Sequence, residues 1–325
     1  MQPFAYANPS TIQEALPLLS AQWGEADLLA GGTDLLSLIK EHLHTPKRVV
    51  NLKNIKDLDS IHASESGLRI GALVTIDELA RNPAVKAAAR SLSDAAAAIP
   101  SPQIRHMGSV GGDLCQRPRC WYFRQGFGLL AMKDGKSLVP DGANQYHAIF
   151  GGGPAYFVSP SSLGPALVSL GARIKLVSAK GSREVPAASF FLVPQDAASR
   201  EIALRPDEIL TEILVPPGAV RTATYEVRQK EALDWPLVTA SVALHMRGNL
   251  VASAKVVLGH VAPKPWDSPE AAQFLVGKSI TADTADAAGK AAVTGAQPLT
   301  QNAYKVSLAR VAVKRALLEA VREKA

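Results

Sequence analysis

Cysteine is nearly absent: Cys115 and Cys120 are the only two in 325 residues, five positions apart. A secreted disulfide framework needs more cysteines, more widely spread, so none is expected; the pair suits a reducing compartment or a metal-related history. Long apolar runs are missing too, and nothing reaches the ~18 residues a membrane helix requires. Met1 to Asn8 holds neither a basic opening nor an apolar core, so no secretory signal is read there. Charge of one sign is thin: the formal excess is +6, and its densest cluster is Arg117, Arg119 and Arg124. No domain-scale basic stripe results, which argues against nucleic-acid binding; a basic surface facing an acidic protein or an anionic cofactor fits better. Neither the dinucleotide fingerprint nor the P-loop spacing occurs, and there is no internal repeat.

What is present reads as alternating strands and helices. Thr11-Ile12-Gln13-Glu14 is a capping-box pattern that predicts a helix through Leu19. Asp27 to Ala30 reads as a strand, Leu35 to Leu43 as a helix, and Arg48 to Leu52 as a second strand. Leu68 to Val74 is strand-like and ends at a second capping pattern, Thr75-Ile76-Asp77-Glu78. Pro83 to Ile99 is Ala-rich and predicts one helix, and Pro100 to Gly153 reads as a long loop of functional character. Ser161 to Leu170 predicts a helix; Arg173 to Ser178 and Glu208 to Val215 predict strands. Pro216-Pro217-Gly218 marks a break. Beyond it come strands at Thr222 to Arg228, Val238 to Met246 and Val251 to Leu258, with Arg247-Gly248-Asn249 as a hairpin turn. Helices at Thr281 to Thr294 and Asn302 to Arg322 follow. The expected class is α+β. The expected units are 1–55, 56–217 with an insertion over 115–150, and 218–325.

Two glycine-rich segments stand out. In Leu28-Leu29-Ala30-Gly31-Gly32-Thr33-Asp34-Leu35-Leu36, a strand delivers two glycines directly before a helix. Such a turn lets backbone N–H groups approach a phosphate, and Thr33 and Asp34 can cap the helix or meet a ligand. Taken alone, a tight turn with an N-cap is the plainer reading. In Ile104-Arg105-His106-Met107-Gly108-Ser109-Val110-Gly111-Gly112-Asp113-Leu114, three glycines fall within five positions, and free amides are expected to face a pyrophosphate or a ring edge. A pair of surface turns is the plainer alternative.

Together the two segments resemble the paired glycine loops of the FAD-binding subunits of molybdenum hydroxylases, the xanthine dehydrogenase, aldehyde oxidoreductase and CO dehydrogenase type. The first is similar to that family's Ala-Gly-Gly-Thr-Asp-Leu loop. The second is similar to its Arg-Asn-x-x-Thr-Ile-Gly-Gly-Asn loop, with His106, Ser109 and Asp113 as departures. Ile70-Gly71-Ala72 and the opening Phe4-Ala5-Tyr6 also fit, and the resemblance covers essentially the whole chain. It implies a two-subdomain FAD-binding fold of the vanillyl-alcohol oxidase and MurB type, plus a C-terminal domain with an antiparallel sheet and helices. FAD would be held by Leu29, Ala30, Gly31, Gly32, Thr33, Asp34 and Leu35, and by His106, Gly108, Ser109, Gly111, Gly112 and Asp113. Ser162 stands where the family has a cofactor-contacting aspartate. Lys230, in Arg228-Gln229-Lys230, takes the place of a basic residue near the flavin ring; a solvated strand end is the plainer reading.

The string Cys115-Gln116-Arg117-Pro118-Arg119-Cys120-Trp121-Tyr122-Phe123-Arg124 resembles the bacterial periplasmic aldehyde oxidoreductase branch, where it opens an insertion carrying a 4Fe–4S cluster. Here Gln125 to Phe150 contains no cysteine, and a four-thiolate cluster cannot be closed by Cys115 and Cys120, even with His147 as a third ligand. The expectation is a retained insertion without a metal, anchored by Trp121, Tyr122 and Phe123. No residue is assigned as catalytic. The resemblance implies a heteromeric complex. A large subunit binds the molybdenum cofactor, a small subunit carries 2Fe–2S clusters, and this subunit passes electrons through FAD to an external acceptor. The alternatives are a stand-alone FAD oxidoreductase of the same fold and a scaffold subunit that has lost FAD. Cytoplasmic residence is expected, or periplasmic residence if a partner carries the export signal.

Overall fold

Three sheets of three or more strands follow one another along the described residues. In the computed structural model, which describes residues 1–218, 220–230 and 233–322, the first sheet is parallel, with Arg48–Asn51 between Ala5–Ala7 and Ala26–Leu29. Val49 and Val50 of the central strand are buried, as β-branched residues in a covered strand should be. The crossover from Ala26–Leu29 carries the helix Leu35–Lys40, shorter than the sequence predicts. The first capping box closes differently from expectation. Thr11 accepts from the Glu14 N–H, but the Glu14 carboxylate takes the Ser10 N–H at 2.8 Å and the Ser10 hydroxyl at 2.9 Å. The helix is only Ile12–Ala15, and Pro17, which has no N–H to donate, sits in the 3₁₀ turn Leu16–Leu18 that follows.

The second sheet is antiparallel, in the order Ile61–Ser64, Gly67–Gly71, Ile209–Val215, Arg173–Ser178, Gly181–Pro186. Its two outer strands are absent from the sequence reading. Both are edge strands with mostly exposed side chains, so no apolar alternation announces them. The segment expected as one helix is two, Pro83–Ala88 and Arg90–Ala98. Alanine propensity gives no reason to break at Ala89, which leaves the helical region (φ −147°, ψ 59°) and is fully buried.

The expected loop at 100–153 is not structureless. It folds into the short helices Pro102–Met107, Val110–Cys115 and Trp121–Arg124 and the hairpin Met132–Lys133 with Lys136–Ser137. Ser101 and Ser109 start the first two by accepting the N–H of Ile104 and Gly112.

The third sheet is antiparallel: Arg221–Arg228, Pro236–Arg247, Leu250–Gly259 and Trp266–Asp267. Helices Pro269–Leu275, Ala282–Ala292 and Tyr304–Val321 pack with it around one core, and the first of these was not foreseen. The helix Gly164–Ser169 docks on this sheet. Gly259 makes that possible, since a Cβ there would stand 2.5 Å from Pro165 Cγ.

Candidate functional site

The first glycine segment forms a turn whose carbonyls are used and whose amides are not. The Gly32 carbonyl accepts from Leu36, and the Asp34 carbonyl from Ser37 and Leu38. Among the described residues, the amides of Gly31, Gly32, Thr33 and Asp34 find no acceptor in the chain. Gly32 lies at φ +73°, open to glycine at no steric cost. Consecutive outward amides at the start of a helix make an anion-binding nest. A Cβ on Gly31 would fall 1.7 Å from the Met107 carbonyl oxygen, so the two glycine segments meet backbone to backbone. Asp34 does not cap its helix. Its carboxylate accepts the Arg117 N–H at 2.7 Å, Arg119 Nη1 at 2.5 Å and Arg124 Nη2 at 2.8 Å.

The second segment departs from expectation. Its amides are not free: those of Gly108, Val110, Gly111, Gly112 and Asp113 donate to Ile104 O, Val74 O, Ala72 O, Ser109 Oγ and Ser109 O. Gly111 faces inward, where a Cβ would meet Ala72 Cβ at 2.9 Å; Gly112 faces outward. Asp113 is buried and accepts Ser161 Oγ at 2.5 Å and the N–H groups of Ser162 and Leu163. Burial pushes its carboxyl up to about 6, against those hydrogen bonds and the charge of Arg119. Asp113 thus ties the second glycine segment to the Pro160 loop.

Two clefts meet at the glycine turn. One, of about 290 Å³, runs past Ile99, Ser101 and Ile104 to Trp235 and Pro236 of the third-sheet region. The other, of about 160 Å³, runs past Leu28 and Arg117 to Trp23 and Arg200. They share Thr33, Asp34, Ser109, Gly112 and Gln116, so the nest sits at the middle of an extended channel. Ala30 to Leu35, Gly108, Ser109, Gly112, Asp113 and Ser162 line it. Leu29 lies beneath the turn, with Cδ1 3.2 Å from where a Gly32 Cβ would be. His106 is not brought in: it is exposed, 3.7 Å from Asp77. Nor is Lys230, which is exposed beside Glu226 and Arg228 in a separate depression. The basic residue that reaches the cleft past Ile99 and Trp235 is Arg119, with its Cζ 4.8 Å from the Trp235 ring centroid. The sequence reading missed its place there, although it noted the arginine cluster; Trp235 gave no signal of its own.

The two thiols part company. Cys115 packs against the core of the second sheet, and burial pushes its thiol up to about 12. Cys120 belongs to the small cluster of Leu130, Ala155 and Phe157, where the insertion packs on the segment that follows it, and lies 3.1 Å from His147 Nε2. Burial, reinforced by Lys305, holds the His147 imidazole down to about 4. Among the described residues, no three His, Cys, Asp or Glu side chains gather to hold a metal.

Four acceptor-less amides at the middle of an extended channel are an arrangement that suits an elongated, phosphate-bearing cofactor. The comparisons with known proteins state which. Residues 2–218 match the FAD binding domain in molybdopterin dehydrogenase, and residues 223–320 the CO dehydrogenase flavoprotein C-terminal domain. The chain is 32% identical over 336 residues to the aldehyde oxidoreductase FAD-binding subunit of Escherichia coli, covering 98% of this chain and 99% of that one. It is 29% identical to the carbon monoxide dehydrogenase medium chain of Hydrogenophaga pseudoflava, covering 97% and 96%. The solved quinoline 2-oxidoreductase from Pseudomonas putida 86 superposes with TM-score 0.78 at 25% identity, over 98% of this chain and 97% of that one. The chain belongs to the FAD-binding medium subunits of the molybdenum hydroxylases. Its cofactor is FAD.

Proposed function

We propose that this subunit is the electron exit of an aldehyde-oxidising complex, working with a molybdenum-cofactor large subunit and a small subunit carrying 2Fe–2S clusters. The observation that carries the cofactor placement is the row of four acceptor-less amides, Gly31 to Asp34, where the two clefts join. A diphosphate fits that nest, with Ser109 and Gly112 on its other side. The cleft past Trp23 and Arg200 then takes the adenosine end, and the cleft past Ile99, Ser101 and Trp235 takes the flavin ring. Bound FAD supplies the redox chemistry. The chain's own residues orient it and exclude water, and none is assigned a proton-transfer role toward the organic substrate. The units 1–55, 56–217 and 218–325 are the proposed domains.

The aldehyde assignment rests on the Gln116 to Arg124 string and on the 32% relative, whose name states that activity. The test is purification from the native host. Expected are a flavin band near about 450 nm, two co-purifying subunits, and faster turnover of aldehydes than of xanthine. A colourless chain refutes the cofactor placement. A single-subunit enzyme that oxidises an organic substrate refutes the partnership, and a preference for xanthine refutes the aldehyde assignment.

A further inference from the structure

A third cavity, of about 240 Å³, lies beside the proposed flavin-ring cleft on the side of the insertion. It falls just under the about 300–1,000 Å³ of drug-sized sites, so a ligand for it is small. The cavity and the cleft share Arg119, Asp234, Trp235 and Pro236, and the Arg119–Trp235 stack stands in the wall between them. Trp121 and Tyr146 form another wall, edge to face with ring centroids 5.6 Å apart. Tyr146 and Trp235 are 43% and 45% exposed, large rings left uncovered at the cavity. Lys305, also on the wall, is almost fully buried. Its ammonium donates to the backbone carbonyls of Tyr146, His147 and His260, at 3.3, 3.2 and 2.6 Å. Those carbonyls satisfy its hydrogens but not its charge, and among the described residues no carboxylate offsets the burial that lowers it to about 7.

Charge and hydrogen bonding select the occupant. The charged side chains on these walls are Arg119, Lys305 and Asp234, since burial and the Lys305 charge hold His147 and His260 neutral. Asp34, the counter-ion of Arg119, lines the other two clefts and not this cavity. Asp234 already uses both oxygens on the N–H groups of Lys230 and Trp235, each at 2.9 Å. Among the described residues, Arg119 Nε, His147 Nδ1 and His260 Nε2 are buried and find no hydrogen-bond partner. Arg119 Nε can only donate. The two imidazole nitrogens donate as well in the tautomers in which the Cys120 thiol and the Thr239 hydroxyl donate to the other ring nitrogen. The cavity therefore lacks an acceptor that carries negative charge. A neutral ring would stack on the aromatic walls and leave the ammonium unbalanced; a small aliphatic acid would balance the charge and leave the rings bare. A flat ring bearing a carboxylate answers both. We propose that this cavity binds an aromatic carboxylate and that the acid formed by the complex acts back on the flavin cleft through the shared Arg119–Trp235 wall. The link to product rests on the aldehyde-oxidising reading above, because oxidation of an aromatic aldehyde yields such an acid; the binding site itself does not rest on it.

The test titrates the assembled, oxidised holoenzyme with benzoate while the flavin band and the heat of binding are followed. Expected is a saturable site that shifts the flavin band. Benzamide keeps the ring without the charge, and cyclohexanecarboxylate keeps the charge without the flat ring. Each should bind about tenfold more weakly than benzoate. Lys305→Met should erase the preference for benzoate over benzamide. Tyr146→Ala truncates an exposed side chain and so spares the fold; it should weaken benzoate about threefold or more with flavin content unchanged. This second variant decides the matter if the first does not fold. Benzoate should inhibit benzaldehyde oxidation non-competitively, and Tyr146→Ala should relieve the inhibition. Benzoate binding that leaves the flavin band unmoved, that benzamide matches, or that keeps its parental strength in Tyr146→Ala would overturn the proposal, as would inhibition purely competitive with benzaldehyde. A parent protein without a flavin band would overturn the electron-exit reading instead. Benzoate binding as expected, in a complex that does not oxidise benzaldehyde, would overturn the aldehyde assignment and leave the site in place.

Discussion

The Asp34 carboxylate and the Arg124 guanidinium, ninety residues apart in sequence, meet at 2.8 Å. With the Arg117 N–H and Arg119 Nη1 on the same carboxylate, the cysteine-bearing string clamps the glycine turn of the first sheet. Two guanidiniums of the densest basic cluster, those of Arg119 and Arg124, are therefore turned onto one acid, while that of Arg117 pairs with Glu201. Asp34→Ala would leave two half-buried guanidiniums facing each other without their anion. A loss of about 3 kcal/mol in stability is expected, with flavin occupancy falling further than the melting temperature alone explains. Asp34→Asn, which keeps hydrogen-bond acceptance, should recover part of both. Thermal denaturation alongside the flavin-to-protein absorbance ratio measures this. An Asp34→Ala protein with parental flavin content would show that the clamp does not shape the cradle.

The glycines separate by what a side chain would strike. Gly31→Ala puts a methyl into the Met107 carbonyl and pushes the two glycine segments apart. Gly111→Ala strikes Ala72 in the core of the second sheet, away from the channel. The first should abolish FAD binding. The second should cost about 1–3 kcal/mol by overpacking while the protein that stays folded still takes up FAD. Equal flavin affinity in the two variants, measured by titration of FAD into apoprotein, would contradict this division.

Much of this was legible in the sequence. Gly31-Gly32 between a strand and a helix announces the turn that carries the acceptor-less amides, and Pro216-Pro217-Gly218 marks the break before the third sheet. What escaped notice depends on contacts far along the chain. The edge strand Gly181–Pro186 has polar, exposed side chains, and its pairing with Arg173–Ser178 is not written in its own residues. Gly111 and Gly112 look alike in sequence, yet the helix begun by Ser109 turns one inward and one outward. Ser162 read as a lost carboxylate. The structure shows that Asp113, itself read as a departure, supplies a carboxylate to the Ser162 N–H. Lys230 reads as the basic residue from its neighbours in sequence, whereas Arg119 reaches the cleft past Ile99 and Trp235 because the insertion folds back over Asp34.

Acid should loosen the C-terminal contacts. Burial lowers the His147 and His260 imidazoles from 6.5 to about 4 and about 3, so the unfolded chain binds more protons below pH 6.5. Their contribution is fully present above pH 6.5 and is lost as the pH falls toward 4. Asp113 acts the other way: its value, raised from 3.8 to about 6, makes the folded chain hold a proton more firmly across that window. Two histidines against one aspartate leave a net loss on the order of 2 kcal/mol between pH 6.5 and 4.5. Lys305, lowered from 10.5 to about 7, adds stability as the pH rises above 7. Melting temperature against pH should therefore climb through both windows. His260→Gln should flatten the acid limb and Lys305→Met the alkaline one; limbs that keep their slopes in these variants would refute the assignments.

The last prediction concerns iron. Cys115 and Cys120 are the only thiols of the chain. They pack into different apolar clusters, one on the second sheet and one where the insertion meets Ala155 and Phe157. Burial raises both thiols, and a thiolate ligand is the form each environment disfavours. Cys120 faces His147, but no third ligand joins them among the described residues. A cubane cluster takes four ligands, normally thiolates, so this subunit should contain no iron of its own. The segment would then serve the clamp on Asp34 and the anchoring of the insertion, where Phe123 is buried between Arg117 and Arg124. Replacing both cysteines with serine should leave FAD content intact and lower stability by about 1–2 kcal/mol, because a hydroxyl is less suited than a thiol to the Cys115 site. Elemental analysis of anaerobically isolated subunit should find iron well below one atom per chain in parent and variant alike. About four irons per chain in the parent, lost in the variant, would mean that the insertion rearranges around a cluster and that the two thiols do not stay in separate cores.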